Sequence, residues 1–214
     1  MLDWYYIYSQ RYFQFHDYLQ QKVNTNIYTL RGLFVDQSVF DEHLYKHKGE
    51  HFFSRITVKV DAIIDIIQTR LIHSKTEPFF FSDCDIMIGN LADTLVKYKD
   101  ISGVDIFFQQ EVREADIVNP GFMLIWPNEN TLQFWKRILE DIITKNEMEM
   151  SSINVHIREN TINYRLFSYI DVCSTLTYSQ PSYGICHLIV SSQGRDEDMG
   201  EKLYQVALLS NVLL

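Results

Sequence analysis

Two rhythms of apolar residues run along this chain and predict its elements. Short apolar runs bounded by polar residues read as strands, and apolar residues recurring three and four apart read as helix faces. Trp4–Tyr8 reads as a first strand, with Ser9 and Gln10 at its carboxyl end. Tyr12–Val23 has apolar residues at 12, 13, 15, 19 and 23, an amphipathic helix. Ile27–Phe34 reads as a strand interrupted by Gly32, and Asp36–Lys48 is polar and irregular. The clearest helix is His51–Arg70, where Phe52, Phe53, Ile56, Val60, Ile63, Ile64 and Ile67 form one stripe. Arg55 and Lys59 flank that stripe, and their spacing favours solvent, although either could reach the carboxyl end of a neighbouring strand.

Beyond Leu71–Glu77, Phe79–Phe81 is wholly apolar and suits a central strand covered on both faces. Leu91–Tyr98 reads as a short helix, Gly103–Gln109 as a strand, and Asn119-Pro120-Gly121 as a turn leading into a strand over Phe122–Trp126. Asn128–Lys145 is a second strong helix, with a stripe of Leu132, Trp135, Leu139, Ile142 and Ile143. Ile153–Glu159 is helical, Asn163–Phe167 a strand with a loop over Ser168–Thr175, and Gly184–Val190 a last strand. Ser191–Gly200 is a polar loop and Glu201–Leu214 a closing helix. Strands alternating with helices predict an α/β fold with a parallel sheet and right-handed crossovers. No internal repeat or linker divides the chain, so residues 1–214 read as a single domain.

The chemistry concentrates after the Phe79–Phe81 run, in Ser82-Asp83-Cys84-Asp85. If the strand continued, Asp83 and Asp85 would point to one side at its carboxyl end, where open α/β sheets hold ligands. Two adjacent carboxylates repel unless a cation lies between them or one is protonated. Mg²⁺ or Mn²⁺ would bind such oxygens and hold phosphate oxygens in turn. The blander alternative is one Asp capping a helix and the other solvated.

Composition narrows the field. A net charge of −9 argues against a nucleic-acid surface. Three cysteines with no CxxC pair argue against a disulfide framework and for a reducing compartment. No membrane span and no signal peptide are read from the sequence, so a cytoplasmic location is expected.

Further polar groups follow in order. Gly121 allows close backbone approach, and the Asn119 amide can both donate and accept. Glu149-Met150-Ser151-Ser152-Ile153-Asn154 opens acidic, His187 can offer a nitrogen ligand, and Lys202 lies beyond a glycine-containing loop. Singly, each is as readily structural. In this order they resemble the nucleotide-diphospho-sugar transferase type of glycosyltransferase. The matching features are an apolar strand into D-x-D, an N-x-G-F-M segment before a helix, an acidic stretch ending in Asn, and a late His followed by Gly and Lys.

The resemblance runs over most of the chain. It implies a GT-A fold, that is, a Rossmann-like, mostly parallel mixed sheet flanked by helices. It implies transfer of a sugar from a nucleoside-diphosphate sugar, a UDP-sugar or a GDP-sugar with UDP favoured, to a glycan or protein acceptor, with retention of configuration. Asp83, Asp85 and His187 would hold Mn²⁺ or Mg²⁺. Tyr8, Ser9, Lys59, Ser82, Asp83, Gly121 and Lys202 would meet the donor, and Glu149 and Asn119 would lie at the transferred sugar. One departure stands out: the family's Asp-Gln pair is Glu149-Met150 here, and Met cannot hydrogen-bond like Gln. A non-catalytic nucleotide-sugar-binding module is therefore one alternative. A haloacid-dehalogenase-like phosphatase is another, but its Asp-x-Asp would sit near the start of the domain.

Overall fold

A computed structural model describes residues 1–36, 50–111, 116–174 and 183–188, with side chains for all of these except 50–55. Its main sheet has six strands in the order β2-β1-β3-β6-β5-β7. These are β1 (Leu2–Tyr8), β2 (Tyr28–Phe34), β3 (Phe79–Ser82), β5 (Ile106–Gln110), β6 (Val118–Ile125) and β7 (Tyr164–Leu166). A second sheet has the order β4-β9-β8, with β4 (Ile86–Ile88), β8 (Val172–Ser174) and β9 (Ile185–His187). The helices are α1 (Phe13–Lys22), α2 (Glu50–Ile72), α3 (Glu129–Lys145) and α4 (Glu149–Arg158). None of the helices among the described residues is long and apolar enough to cross a membrane.

The sheet is mixed. β1 runs parallel to β2 and β3, and β5 parallel to β7, but β6 is antiparallel to both of its neighbours. This is the mostly parallel mixed sheet that the resemblance implies, with β6 as its antiparallel strand. β6 begins at Val118, soon after β5 ends at Gln110, and so short a link favours antiparallel pairing.

Period-two alternation sorts the strands' side chains onto two faces. Trp4, Tyr6, Phe80, Phe107, Phe122 and Leu124 enter one core with Phe15 and Leu19 of α1. Phe79, Phe81, Ile106, Phe108, Met123 and Ile125 enter the other, against α2, α3 and α4. The α2 stripe of Ile56, Val60, Ile63, Ile64 and Ile67 is buried as its spacing requires. On α3 the buried stripe is Leu132, Phe134, Trp135, Ile138 and Ile142, whereas Ile143 is 65% exposed. Asn128 caps this helix: its side chain accepts from Thr131 N–H, and its own N–H is returned to the Thr131 hydroxyl.

Several boundaries differ from expectation. Gly32 does not interrupt β2, which pairs with β1 over its whole length. The short helix expected over residues 91–98 is a 3₁₀ helix, Ala92–Asp100. Asn119-Pro120-Gly121 is not a turn but part of β6. A register shift between Phe108 and Gln109 absorbs the irregularity, and Asn119 turns its own side chain back onto the Gly121 N–H. α4 begins at Glu149, earlier than its apolar spacing suggested. Residues 172–174, expected as loop, form β8. The closing helix and Lys202 lie outside the described residues.

Candidate functional site

β3 ends at Ser82, so Asp83 and Asp85 do not share a strand face. A seam between the two sheets brings them together. The Asp83 N–H bonds to Gly121 O of β6 at 2.8 Å, which ties it to the main sheet. The Asp85 carbonyl accepts from Leu188 N–H at 2.9 Å, which ties it to the second sheet. In that sheet Ile86 is the register partner of His187. The chain therefore leaves one sheet and enters the other within three residues, and His187 arrives on the neighbouring strand.

The three side chains converge. His187 Nε2 lies 3.6 Å from Asp83 Oδ2 and 3.6 Å from Asp85 Oδ1. One ligand atom from each residue lies within 4.8 Å of the others. Two carboxylate oxygens and one imidazole nitrogen form a donor set that suits a divalent cation, with room for further ligands from solvent or substrate. The cluster can therefore hold a metal ion. Gly121 makes space for it: a Cβ there would lie 2.1 Å from His187 Cε1 and 2.2 Å from its Nδ1. This is the close approach for which β6 needs a glycine.

Beside this cluster lies a cavity of about 260 Å³. Tyr8, Ser9, Tyr12, Lys59, Asp83, Asp85 and Glu149 are among the residues that line it. The Tyr8 ring stacks on His16 at 4.2 Å and 16°. Lys59, expected to favour solvent, is buried, and its ammonium lies 2.7 Å from Asp83 and 2.9 Å from Glu149. It sits one turn beyond Ile56 on α2, whose apolar stripe packs on the sheet and takes the lysine's stem with it.

Burial alone would pull Lys59 towards neutrality, but the Asp83 and Glu149 carboxylates outweigh it and hold its pKa above the usual lysine value. Glu149 is raised above the usual carboxylate range by burial, which the attraction of Lys59 only partly offsets. Burial and the flanking Asp85 and Asp83 push the Cys84 thiol up, so it stays protonated. The pocket thus holds a fixed cation between two carboxylates, next to a second pair of carboxylate oxygens facing a histidine.

Tyr8, Ser9, Lys59, Asp83, Asp85 and Glu149 line the cavity, whereas Gly121 and His187 meet beside the Asp83 and Asp85 carboxylates, outside its lining. Ser82 is fully buried, and its hydroxyl accepts from Trp4 Nε1 at 2.9 Å, away from the cavity lining. Asn119 is bound through Oδ1 to Gly121 N–H at 2.6 Å and through Nδ2 to Glu111. Asn154 is buried and clamps both backbone groups of Val118, which joins α4 to β6. Sequence reasoning did not single out Glu111, nor Ile7 and Tyr12 as wall residues. An acid at the end of an apolar strand was the one signal for Glu111. Its pairing with Asn119 depends on strand register, which no local pattern encodes.

No protein-family model and no curated protein sequence matches the chain. Solved structures do. A glycosyltransferase involved in glycosylating the major capsid of PBCV-1 superposes with a TM-score of 0.62 at 13% identity, covering 95% of this chain and 100% of that one. The galactosyltransferase LgtC, solved with donor and acceptor sugar analogues, gives 0.56 at 10% identity, covering 99% and 96%. Mouse xyloside xylosyltransferase 1 gives 0.51 at 10%, covering 91% and 86%. The chain has the GT-A fold of the glycosyltransferases, with an Asp-X-Asp pair and a histidine gathered where its two sheets meet.

Proposed function

We propose that this protein is a metal-dependent glycosyltransferase acting as one domain over residues 1–214. It takes a sugar from a nucleoside-diphosphate sugar, a UDP-sugar in the first instance, and passes it to a hydroxyl of a glycan or protein. The observation that carries this reading is the convergence of Asp83, Asp85 and His187 beside a cavity that Asp83, Asp85, Tyr8 and Tyr12 line. Asp83, Asp85 and His187 would hold Mn²⁺ or Mg²⁺, which when bound offsets the charge that gathers on the leaving diphosphate. Tyr8 and Ser9 offer an aromatic face and backbone groups to the nucleoside. Lys59 places a fixed positive charge beside the reacting end, and Glu149 and Asn119 border the transferred sugar. Lys202 would add a second cation to the diphosphate.

Inversion wants a free carboxylate to deprotonate the acceptor. Glu149, which could serve, is buried and engaged by Lys59. With the family resemblance, this favours retention. The same engagement of Glu149, with Met150 beside it, favours a second reading in which the pocket binds a nucleotide sugar without transferring it.

Thermal denaturation with nucleoside diphosphates and nucleotide sugars, with and without Mn²⁺, tests the proposal. A ligand present at a hundred times its Kd adds about 2.7 kcal/mol of stability. Mn²⁺-dependent stabilisation by a UDP-sugar, followed by its turnover on a glycan acceptor array, is the expected result. Stabilisation without turnover would select the second reading. No stabilisation by any donor would overturn both.

A further inference from the structure

The Tyr8 ring is held in place by its neighbours before any ligand arrives. His16 of α1 lies flat on one face, with ring centroids 4.2 Å apart and planes 16° from parallel. Phe13 and Phe34 pack against it edge to face, at 5.8 and 5.5 Å. Tyr8 also lines the cavity. A ring backed on one face in this way has its remaining face to offer a ligand.

His16 is itself fixed. Its Nδ1 shares a 2.8 Å hydrogen bond with the Tyr6 hydroxyl, and that hydroxyl oxygen accepts from Gln20 Nε2, also at 2.8 Å. His16 and Gln20 stand four apart on α1, so one helix face brings both to Tyr6. Tyr6 is fully buried, and burial pushes its hydroxyl up to about 12, so it keeps its proton. Tyr6 and Tyr8 are two apart on β1 and share a face. Gly32 of β2 makes room for both rings: a Cβ there would stand 2.9 Å from Tyr6 Oη and 2.9 Å from Tyr8 Cε1.

We infer that His16, anchored by the Tyr6 hydroxyl, is the positioning residue for Tyr8: it sets the ring as a flat wall on which the nucleoside base of the donor stacks. The inference rests on reading the Tyr8 side of the cavity as the nucleoside's place. His16 acts on the base only through Tyr8. An unbacked tyrosine would lose rotamer freedom when a base stacks on it, and that loss would weaken binding. With His16 and Tyr6 in place the ring is ordered beforehand.

Calorimetry with UDP and with inorganic diphosphate, each in the presence of Mn²⁺, tests it. Wild type is expected to hold UDP more tightly than diphosphate, and Tyr8→Ala to erase most of that difference. If Tyr8→Ala leaves it intact, the nucleoside reading of this wall fails, whatever His16 does. His16→Ala is expected to weaken UDP about 2- to 10-fold, the worth of one ring-on-ring contact, and to leave diphosphate binding unchanged. Tyr6→Phe, which keeps every ring and removes only the hydroxyl, is expected to weaken UDP by a smaller factor. Because the two act through one chain of contacts, the double variant is expected to bind UDP no worse than His16→Ala alone. A His16→Ala protein that binds UDP like wild type, while Tyr8→Ala does not, would overturn the inference and spare the nucleoside reading. Equal losses for UDP and diphosphate would overturn it too, since general loosening of the fold spares neither ligand. If His16→Ala does not fold, Tyr6→Phe with wild-type UDP affinity overturns it alone.

Discussion

Gly121 lies flat against His187, so that a single added methyl group would stand 2.1 Å from the imidazole Cε1. No rotation of a tip relieves this overlap, because the ring belongs to a buried side chain on β9. Gly121→Ala is therefore expected to push the ring from the carboxylates. Mn²⁺ affinity should fall at least tenfold, and stability by about 1–3 kcal/mol for the forced shift. Calorimetry and urea denaturation check the two effects. Unchanged affinity would show that the ring moves away without cost to the site.

Lys59 answers two carboxylates from one buried position. Breaking such a pair by removing one partner leaves uncompensated charge, at a cost of about 3–5 kcal/mol when all groups are fully buried. Asp83 keeps 29% side-chain exposure, and Glu149 can take up a proton, so about 2–4 kcal/mol is expected for Lys59→Met. Adding Glu149→Gln should recover part of the loss. A double variant no more stable than Lys59→Met alone would mean that the Lys59–Glu149 pair is not what holds this corner.

Asp141 of α3 ties down α4, the helix that carries Glu149. Its carboxylate accepts from Ser152 at 2.8 Å, meets His156 at 2.9 Å and pairs with Lys145 at 2.8 Å. Burial would raise its pKa, but the hydrogen bonds from Lys145, Ser152 and His156 hold it below the usual aspartate value. A carboxylate depressed in the folded state contributes stability above its unfolded pKa, near 4, and loses it as the pH falls through the folded value. The wild type should thus lose Tm relative to Asp141→Asn between pH 5 and pH 2. At pH 7 the variant should be about 1 kcal/mol less stable, because Lys145 is half exposed and its share is screened. Parallel Tm curves for the two proteins across that range would contradict this.

Tyr8 supplies the aromatic wall of the cavity and is backed by His16. Tyr8→Ala should weaken a nucleoside diphosphate by about 1–3 kcal/mol, the range for a base stacked on an aromatic ring, while leaving Mn²⁺ binding by itself unaltered. Equal losses with inorganic diphosphate, which has no base, would place the tyrosine's role elsewhere.

Local patterns carried most of the elements. The α2 stripe and the apolar run of β3 are short-range signals, and each appears where its residues predict. The candidate site was partly legible for the same reason: Asp83, Asp85 and His187 each sit at the edge of an apolar run. How they meet was not legible. Alternation along one strand would bring the Asp-X-Asp pair together only if β3 continued, whereas the chain passes between sheets and is held there by backbone bonds to Gly121 and Leu188. The burial of Lys59, the place of Asn119 within β6 and the Glu111 contact all depend on partners distant in sequence. Propensity and periodicity are blind to such partners.

The seam between the sheets also has a consequence for how the protein is made. β4 follows directly on Asp85, yet its neighbour β9 contains residue 187 and is synthesised only near the end of the described chain. Until it emerges from the ribosome, Ile86, Met87 and Ile88 have an open edge and the two aspartates have no histidine to face. A nascent chain is thus unable to bring Asp83, Asp85 and His187 together, and it leaves a strand edge unpaired beside the residues on which the proposed activity depends.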